Sequence, residues 1–110
     1  MLCWNNVDVL PRCLDHLLAT EWPADGLDVV VVDNGSTDGS VDDWEHRYPT
    51  VRLLRTGRNL GFAGGVNAGL HDLTDVDAVA LVNSDAFVEP GWLHPLASAL
   101  DADPVLGAAT

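Results

Sequence analysis

This chain has 110 residues, 47% of them hydrophobic, and its 17 acidic residues against five basic ones give a formal net charge of −12 at pH 7. That length fits one domain, and the charge disfavours nucleic acid and anionic membrane surfaces as partners. No apolar run reaches the roughly 18 to 20 residues of a membrane span, and the two cysteines, Cys3 and Cys13, lack metal-binding spacing.

The first half of the chain alternates short apolar runs with helical patterns. Residues 1–4 predict the end of a strand, and leucines at helical spacing predict a helix from about Leu10 that residues 22–26 interrupt. Residues 27–32 predict a strand buried on both faces, because four valines follow one another. The polar segment 33–40 then predicts a turn and the cap of a second helix over about 41–47.

The second half continues the alternation. Residues 51–54 predict a shorter strand near a sheet edge, 57–63 a loop, and 64–73 a helix in which Gly65 and Gly69 permit close approach of backbone or ligand. A strand over 78–82, a helix over about 90–100 and the start of a strand over 105–109 follow. This order predicts an α/β fold with a doubly wound, mostly parallel sheet. Both ends look cut, so we expect a single partial domain over residues 1–110, truncated at both ends.

Two carboxylates follow predicted strands. Asp33 ends the valine-rich strand, and Asp85 follows the strand over 78–82. Because parallel strands bring their carboxyl ends to one rim, where ligands bind in such sheets, we expect both at one site. A carboxylate there can accept hydrogen bonds from ribose hydroxyls or a pyrimidine imide, and Asp85 after polar Asn83 and Ser84 suits Mg²⁺ or Mn²⁺. A capping or turn role remains the alternative for each aspartate.

A third candidate segment is rich in glycine. Residues 58–69 include Asn59 and Asn67, whose amides can hold hydroxyls, and glycines that admit a ligand close to the backbone at a helix N-terminus. A structural role for the glycines is the alternative. The chain contains no lysine, which rules out a P-loop.

These motifs together resemble a known enzyme family. The segments Val30-Val31-Val32-Asp33-Asn34-Gly35-Ser36-Thr37-Asp38-Gly39-Ser40, Asn59-Leu60-Gly61-Phe62-Ala63-Gly64-Gly65-Val66-Asn67-Ala68-Gly69 and Leu81-Val82-Asn83-Ser84-Asp85 resemble the family 2 glycosyltransferases. The likeness is strongest to rhamnosyl- and galactofuranosyl-transferase-like members. It implies the Rossmann-like, nucleotide-binding half of the GT-A fold and a role in cell-wall or polysaccharide biosynthesis.

The resemblance also implies a ligand set. The donor would be a nucleotide-diphosphate sugar, bound with Mg²⁺ or Mn²⁺ held by Asp85. Trp4-Asn5-Asn6 occupies the position that lines the family's nucleotide pocket, and Asp33 matches the aspartate that contacts uracil or ribose. The implied contacts to the nucleotide sugar are made by Asn5, Asp33, Ser36, Asn59, Gly61, Asn67 and Ser84.

The matching region departs from the family in two respects. Asn83 stands where the metal motif often has aspartate, which leaves Asp85 as its only charged group. The general base that deprotonates the acceptor hydroxyl in inverting transfer is expected downstream of Thr110, so no catalytic residue is assigned. The fragment alone is therefore expected to be inactive.

The expected partners follow from the same resemblance. The acceptor would be a glycan, a lipid-linked compound or another hydroxyl compound, and the parent protein would work in the cytoplasm at the inner face of the membrane. A missing strand would expose a sheet edge and promote self-association.

Two other functions remain open on the sequence. The first is a non-catalytic nucleotide or sugar-nucleotide binding module that retains Asp33. The second is a phosphoacceptor receiver or phosphatase-like domain, whose chemistry usually requires a lysine that this chain lacks.

Overall fold

Strands and helices alternate along the chain. The computed structural model describes residues 1–23, 25–71 and 73–110. Within those residues lie β1 (Leu2–Cys3), α1 (Leu10–Leu18), β2 (Val30–Asp33), α2 (Trp44–Arg47), β3 (Arg52–Arg55), α3 (Gly61–His71) and α4 (Leu93–Ala102). The strands form one parallel sheet in the order β1-β2-β3, which confirms the predicted α/β class and the edge position of β3.

The strand register fixes the edge at which functional groups collect. Leu2 pairs with Val32 and Cys3 with Asp33, while Asp33 pairs on its other side with Arg55. All three strands therefore end at the same level. We call this edge the rim; the chain leaves each strand there for the loop that follows.

Helices cover both faces of the sheet. On one face, the side chains of Cys3 and Val31 pack with Leu10 and Leu14 of α1 and with Trp44 of α2. On the other face lies α3, which contacts β1 and β2. Alternate residues of β2 thus enter different cores, which explains why the valine run has no polar face.

The sequence predicted α1 well because its leucines carry the pattern. Leu10, Leu14 and Leu17 are buried along one stripe, and Pro11 is tolerated in the first turn, where no intrahelical donor is needed. The α1 boundaries match the predicted start at Leu10.

Two predicted strands are wrong. Residues 78–82 and 105–109, all of them described, adopt no regular strand. The pairing nearest to the first region is an isolated parallel bridge between Leu2 and Asn83, one residue beyond it. Residues 78–82 themselves take part in no strand pairing. Val105 is exposed and lies beside no strand.

The predicted helices form with shifted ends. The second helix is shorter than expected, since Asp43 takes a left-handed backbone conformation (φ +50°) and the helix begins only at Trp44. The third begins three residues earlier than predicted and ends at His71; the predicted helix also included Asp72, which lies outside the described residues. The fourth runs two or three residues later at both ends. Within the described ranges, no helix has the length and apolar character to span a membrane.

Candidate functional site at the rim of the sheet

Four loop segments meet at the rim. Residues 4–7 follow β1, 33–40 include the end of β2, 56–61 follow β3, and 83–85 begin at the isolated bridge to Leu2. The strand β1 therefore lies between Asp33 on one side and the Asn83–Asp85 segment on the other. Neighbouring strands lie about 4.8 Å apart, so the backbones of Asp33 and Asp85, two strand positions apart, are separated by about 10 Å across the sheet.

Asp33 is buried at the end of β2 and organises the turn that follows. Its Oδ1 accepts a hydrogen bond from the backbone amide of Ser36 at 2.8 Å. The Ser36 hydroxyl in turn accepts one from the Asn5 amide at 3.0 Å. Asp33 and Ser36 are thus joined to the end of β1, as the shared rim predicted.

Asn5 connects the same two loops through its side chain. Its Oδ1 accepts a hydrogen bond from the Thr37 amide at 2.8 Å, and its backbone has a φ of +52°. Asparagine tolerates this left-handed conformation better than most residues. The Asn5 Oδ1 is therefore held by the loop, while its Nδ2 group has both protons available to a ligand.

Asp38 makes a second bridge between these loops. Its carboxylate accepts hydrogen bonds from the Val7 amide at 2.9 Å and the Ser40 amide at 3.0 Å. Hydrogen bonding, from the Ser40 side chain above all, lowers the pKa of the Asp38 carboxyl below its usual value. The group thus stays ionised and holds the loop at neutral pH.

A cleft of about 260 Å³ opens on the other side of β1. Its walls are aromatic and polar: they consist of Leu2, Trp4, Asn6, Phe62, Asn83, Ser84 and Asp85. The rings of Trp4 and Phe62 are 52% and 63% exposed, so they offer flat apolar surface to a ligand. The volume lies just below the usual range for ligand pockets, about 300–1,000 Å³, so the cleft suits one part of a larger ligand.

The turn that carries Asp85 is anchored on α1. The amide of Ala86 donates to the carbonyl of Asn83 at 3.1 Å, and the Cys13 thiol donates to the same carbonyl at 3.4 Å. The Arg12 guanidinium lies 4.4 Å from the centre of the Phe87 ring. These contacts fix the backbone while the Asp85 side chain remains exposed to the cleft.

The donor set at Asp85 fits a magnesium-type ion. Among the described residues, no three His, Cys, Asp or Glu side chains are grouped as a metal site. Mg²⁺ commonly binds through one or two carboxylates and keeps its other positions for water and substrate phosphates. Asp85, with the Ser84 hydroxyl and the Asn83 amide beside it, supplies that kind of partial site.

The glycine-rich segment contributes through its first residues. Asn59 lies in the loop before α3, and its Oδ1 accepts a hydrogen bond at 2.8 Å from the amide of Gly61, the first residue of α3. Asn67 is exposed on α3, six residues after Gly61, which is about 9 Å along the helix axis. Asn67 is not among the residues that line the cleft.

Sequence reasoning missed Phe62 and Asn34. The signal for Phe62 was an aromatic ring inside an otherwise small and polar segment. Asn34 directly follows Asp33, and its position at a strand end was the only available signal, since its partners lie 22 to 27 residues further along the chain.

Comparisons with known proteins agree on one family. The model of glycosyl transferase family 2 matches residues 1–110. The N-acetylglucosaminyl-diphospho-decaprenol L-rhamnosyltransferase of Mycobacterium tuberculosis is 39% identical over 90% of this chain and 35% of its own length. The beta-monoglucosyldiacylglycerol synthase of Synechocystis sp. is 28% identical over 94% of this chain and 22% of its own length. The chain thus spans about a third or less of these relatives.

Solved structures share the fold. The structure of S. aureus TarS 1–349 in complex with UDP superposes with a TM-score of 0.74 at 24% sequence identity. The match covers 92% of this chain and 30% of the 1–349 chain. The mannosyltransferase PcManGT of Pyrobaculum calidifontis, in complex with GDP-Man and Mn²⁺, gives a TM-score of 0.58 at 31% identity over 66% of this chain and 23% of its own.

Proposed function

This chain belongs to glycosyl transferase family 2, and from that membership we propose that it is the donor-binding part of a metal-dependent, inverting glycosyltransferase. It binds a nucleotide-diphosphate sugar, whose sugar is transferred to a hydroxyl acceptor. The observation that carries the proposal is the arrangement at the rim, where Asp85 borders an aromatic cleft and Asp33 lies about two strand positions away.

The acidic character of the chain favours a cation at the site. A diphosphate approaching a protein of net charge −12 is repelled unless positive charge is present locally. Asp85 holds Mg²⁺ or Mn²⁺ in this proposal, and the ion supplies charge neutralisation of the diphosphate leaving group. The UDP and the GDP-Man with Mn²⁺ named for the structural neighbours support a nucleotide donor and a divalent metal.

The remaining rim residues hold the nucleoside and sugar. Asp33 accepts hydrogen bonds from ribose or base, and Ser84, nearly buried beside Asp85, donates its hydroxyl to the same ligand. The proposal also includes contacts from Asn5 through its free Nδ2 group and from Ser36, Asn59, Gly61 and Asn67. The exposed rings of Trp4 and Phe62 provide stacking surface.

Transfer requires a base that this chain does not supply. In an inverting displacement, a carboxylate removes the proton from the acceptor hydroxyl while the nucleotide diphosphate leaves from the opposite side. We assign this base to a residue outside 1–110. The chain by itself is therefore proposed to bind the donor without turning it over.

The acceptor and the cellular location are proposed from the relatives. The name of the rhamnosyltransferase includes a decaprenol-linked sugar, and the monoglucosyldiacylglycerol synthase is named for a lipid product, which supports a lipid-linked acceptor over a free glycan. The proposal places the parent protein in the cytoplasm at the inner face of the membrane. The apolar segment 78–82, which takes part in no strand pairing, supports self-association of the chain.

Isothermal titration calorimetry with UDP, in Mn²⁺ and then in EDTA, tests the role of the two aspartates. We expect UDP to bind the unaltered chain about tenfold more tightly with Mn²⁺, and Asp85→Asn to abolish that difference. Asp33→Asn is expected to weaken binding equally in both media, because it removes a nucleoside contact. The matched control is Asp101→Asn, an exposed carboxylate in α4.

The outcomes separate the proposed function from its alternatives. A variant Asp85→Asn that keeps the full Mn²⁺ effect rejects the metal assignment. A chain that binds UDP equally well in Mn²⁺ and EDTA is a nucleotide-binding module of another kind, and one that binds neither UDP nor GDP is not a donor-binding domain.

A further inference from the structure

Asn34 is buried at the end of β2 and its side chain bonds to a different loop. Its Nδ2 donates hydrogen bonds to the Asn59 Oδ1 at 3.1 Å and to the Gly61 carbonyl at 3.2 Å. Its Oδ1 accepts a hydrogen bond from the Leu60 amide at 2.9 Å, and the Thr56 hydroxyl oxygen lies 3.4 Å from it. The Asn34 side chain is only 2% exposed, and all its donor and acceptor capacity is turned toward residues 56–61.

The two segments are also in direct backbone contact. Gly35 has a φ of +83°, and a Cβ placed on it would lie 2.8 Å from the Cα and carbonyl carbon of Arg58. The loop carries its own internal bonds, from the Thr56 hydroxyl to the Arg58 carbonyl at 2.7 Å and from the Gly61 amide to Asn59. Asn34 is therefore the side chain that joins an internally bonded loop to the rim.

This loop determines where α3 begins. Gly61, whose carbonyl accepts from Asn34, is the first residue of α3 and has a φ of +73°. The next residue, Phe62, lines the cleft opposite Asp85, whereas Asn34 itself is not part of the cleft wall. A movement of the loop would therefore move the Phe62 ring relative to Asp85.

We propose that Asn34 is a positioning residue that fixes the start of α3 through Asn59, Leu60 and Gly61, and thereby sets the affinity of the cleft for its ligand. The effect on affinity rests on the proposed donor-binding function, while the effect on the loop does not. Only an amide serves both purposes here, because the site needs two N–H donors and an acceptor on one short side chain. An aspartate keeps the acceptor for Leu60 but loses both donors.

Amide hydrogen exchange followed by NMR, together with UDP titration in Mn²⁺, tests the proposal. In Asn34→Ala, the Leu60 and Gly61 amides are expected to exchange at least about tenfold faster while those of Val31 and Val32 keep their rates. UDP affinity is expected to fall about tenfold, and the losses caused by Asn34→Ala and Asn59→Ala to be less than additive in the double variant, because the two side chains share one hydrogen bond.

Two further variants separate positioning from general stability. Val51→Ala, in the core on the α1 side, lowers stability without touching the loop and should leave UDP affinity unchanged. If Asn34→Ala does not fold, Asn34→Asp replaces it. The Leu60 amide, which donates to the oxygen that aspartate keeps, should stay protected from exchange. The Gly61 amide donates to Asn59, which loses its bond from Asn34, and should lose protection. Ser98→Asp, exposed in α4, controls for the added charge.

Each result decides one part of the proposal. Loop amides that exchange as slowly as before, or that accelerate only in step with Val31 and Val32, overturn the positioning role. Faster loop exchange with unchanged UDP affinity overturns the link to the ligand. Failure of the unaltered chain to bind UDP refutes the proposed function and the link to the ligand, and exchange alone then decides whether Asn34 positions the loop.

Discussion

Adjacent residues at the end of β2 serve different sides of the rim. Asp33 accepts a hydrogen bond from the Ser36 amide, in the turn that joins the loops after β1 and β2. Asn34 points to the side of α3 and forms hydrogen bonds with the loop after β3. A strand sends successive side chains to opposite faces, so two polar residues at one strand end can organise two loops. The pair explains why the rim segments meet in a single arrangement.

Sequence alone predicted that Asp33 and Asp85 lie at the rim but not how each side chain there is used. Asp33 and Asp85 followed apolar runs, and that pattern is enough to place both at one sheet edge. Asn5 was predicted to face a ligand, yet its oxygen accepts from Thr37. Such partners depend on loop geometry and on residues over 30 positions away, which no local pattern encodes.

The two cysteines allow a residue-scale prediction. Cys3 and Cys13 are both fully buried, and burial raises the pKa of each thiol. A raised pKa in the folded state favours the neutral thiol, so this contribution to stability is complete below the unfolded pKa and is lost as pH rises from there through the folded pKa. At pH 8 we expect the folded chain to react with a thiol reagent at least about 100-fold more slowly than the chain in guanidinium.

Ser98→Cys provides the matched control for this labelling. Its thiol would be exposed on α4 and should react at once in the folded state, while the two native thiols do not. Rapid labelling of Cys3 or Cys13 in folded protein, read by mass spectrometry, would contradict the buried placement.

At the scale of elements, α3 shows how tertiary packing overrides local propensity. Its glycines argue against a helix, and the predicted helix accordingly began only at Gly64, yet α3 starts at Gly61. The reason is contact with the sheet: a Cβ on Gly65 would overlap Leu2, and one on Gly69 would lie 2.7 Å from the Val32 side chain. The predicted close approach at these glycines is confirmed, and the approaching group is the sheet.

Gly69→Ala is expected to lower the free energy of unfolding although it improves helix propensity. Overpacking against a β-branched neighbour costs about 1–3 kcal/mol, and the propensity gain returns at most about 1 kcal/mol. Urea denaturation should thus give a net loss of up to about 2 kcal/mol. Adding Val32→Ala should make the Gly69→Ala step itself less destabilising, since it removes the obstructing methyl groups.

Gly91→Ala is the control, because a Cβ there meets nothing within 4 Å. Equal stability of Gly69→Ala and Gly91→Ala would mean that α3 lies further from β2 than the structure places it.

The missing fourth strand marks the limit of pattern reading for elements. Residues 78–82 have the apolar run of a strand, but a strand also needs a partner with free backbone groups. In the described part of the chain, pairing on that side of β1 is limited to the isolated bridge between Leu2 and Asn83. The apolar run thus indicated a tendency to form a strand, whereas strand pairing depends on tertiary contacts that the run does not encode.

At the scale of the whole molecule, strong negative charge coexists with an exposed apolar segment, residues 78–82. The net charge of −12 acts between chains at neutral pH, while Leu81 (61% exposed) and Val79 (47% exposed) lie in a segment without strand partners. Charge repulsion opposes association, and unpaired backbone with apolar side chains favours it. The balance between them should respond to salt and to pH.

We therefore predict reversible self-association that strengthens as repulsion is removed. Sedimentation velocity should give a larger weight-average mass when NaCl rises from about 20 to about 300 mM, because screening shortens the reach of the charges. Association should strengthen again as pH falls toward the isoelectric point of about 4.2. Leu81→Glu places a charge within the segment 78–82 and should weaken association at least tenfold, by about 1.4 kcal/mol.

Val105→Glu separates an edge effect from a charge effect. It adds the same charge at an exposed valine, 89% accessible, that lies outside the segment 78–82. If the segment 78–82 is the contact surface, Val105→Glu weakens association far less than Leu81→Glu does. Equal weakening by the two variants would mean that association depends on net charge alone. A chain that stays monomeric at high salt and low pH would refute the segment 78–82 as a contact surface.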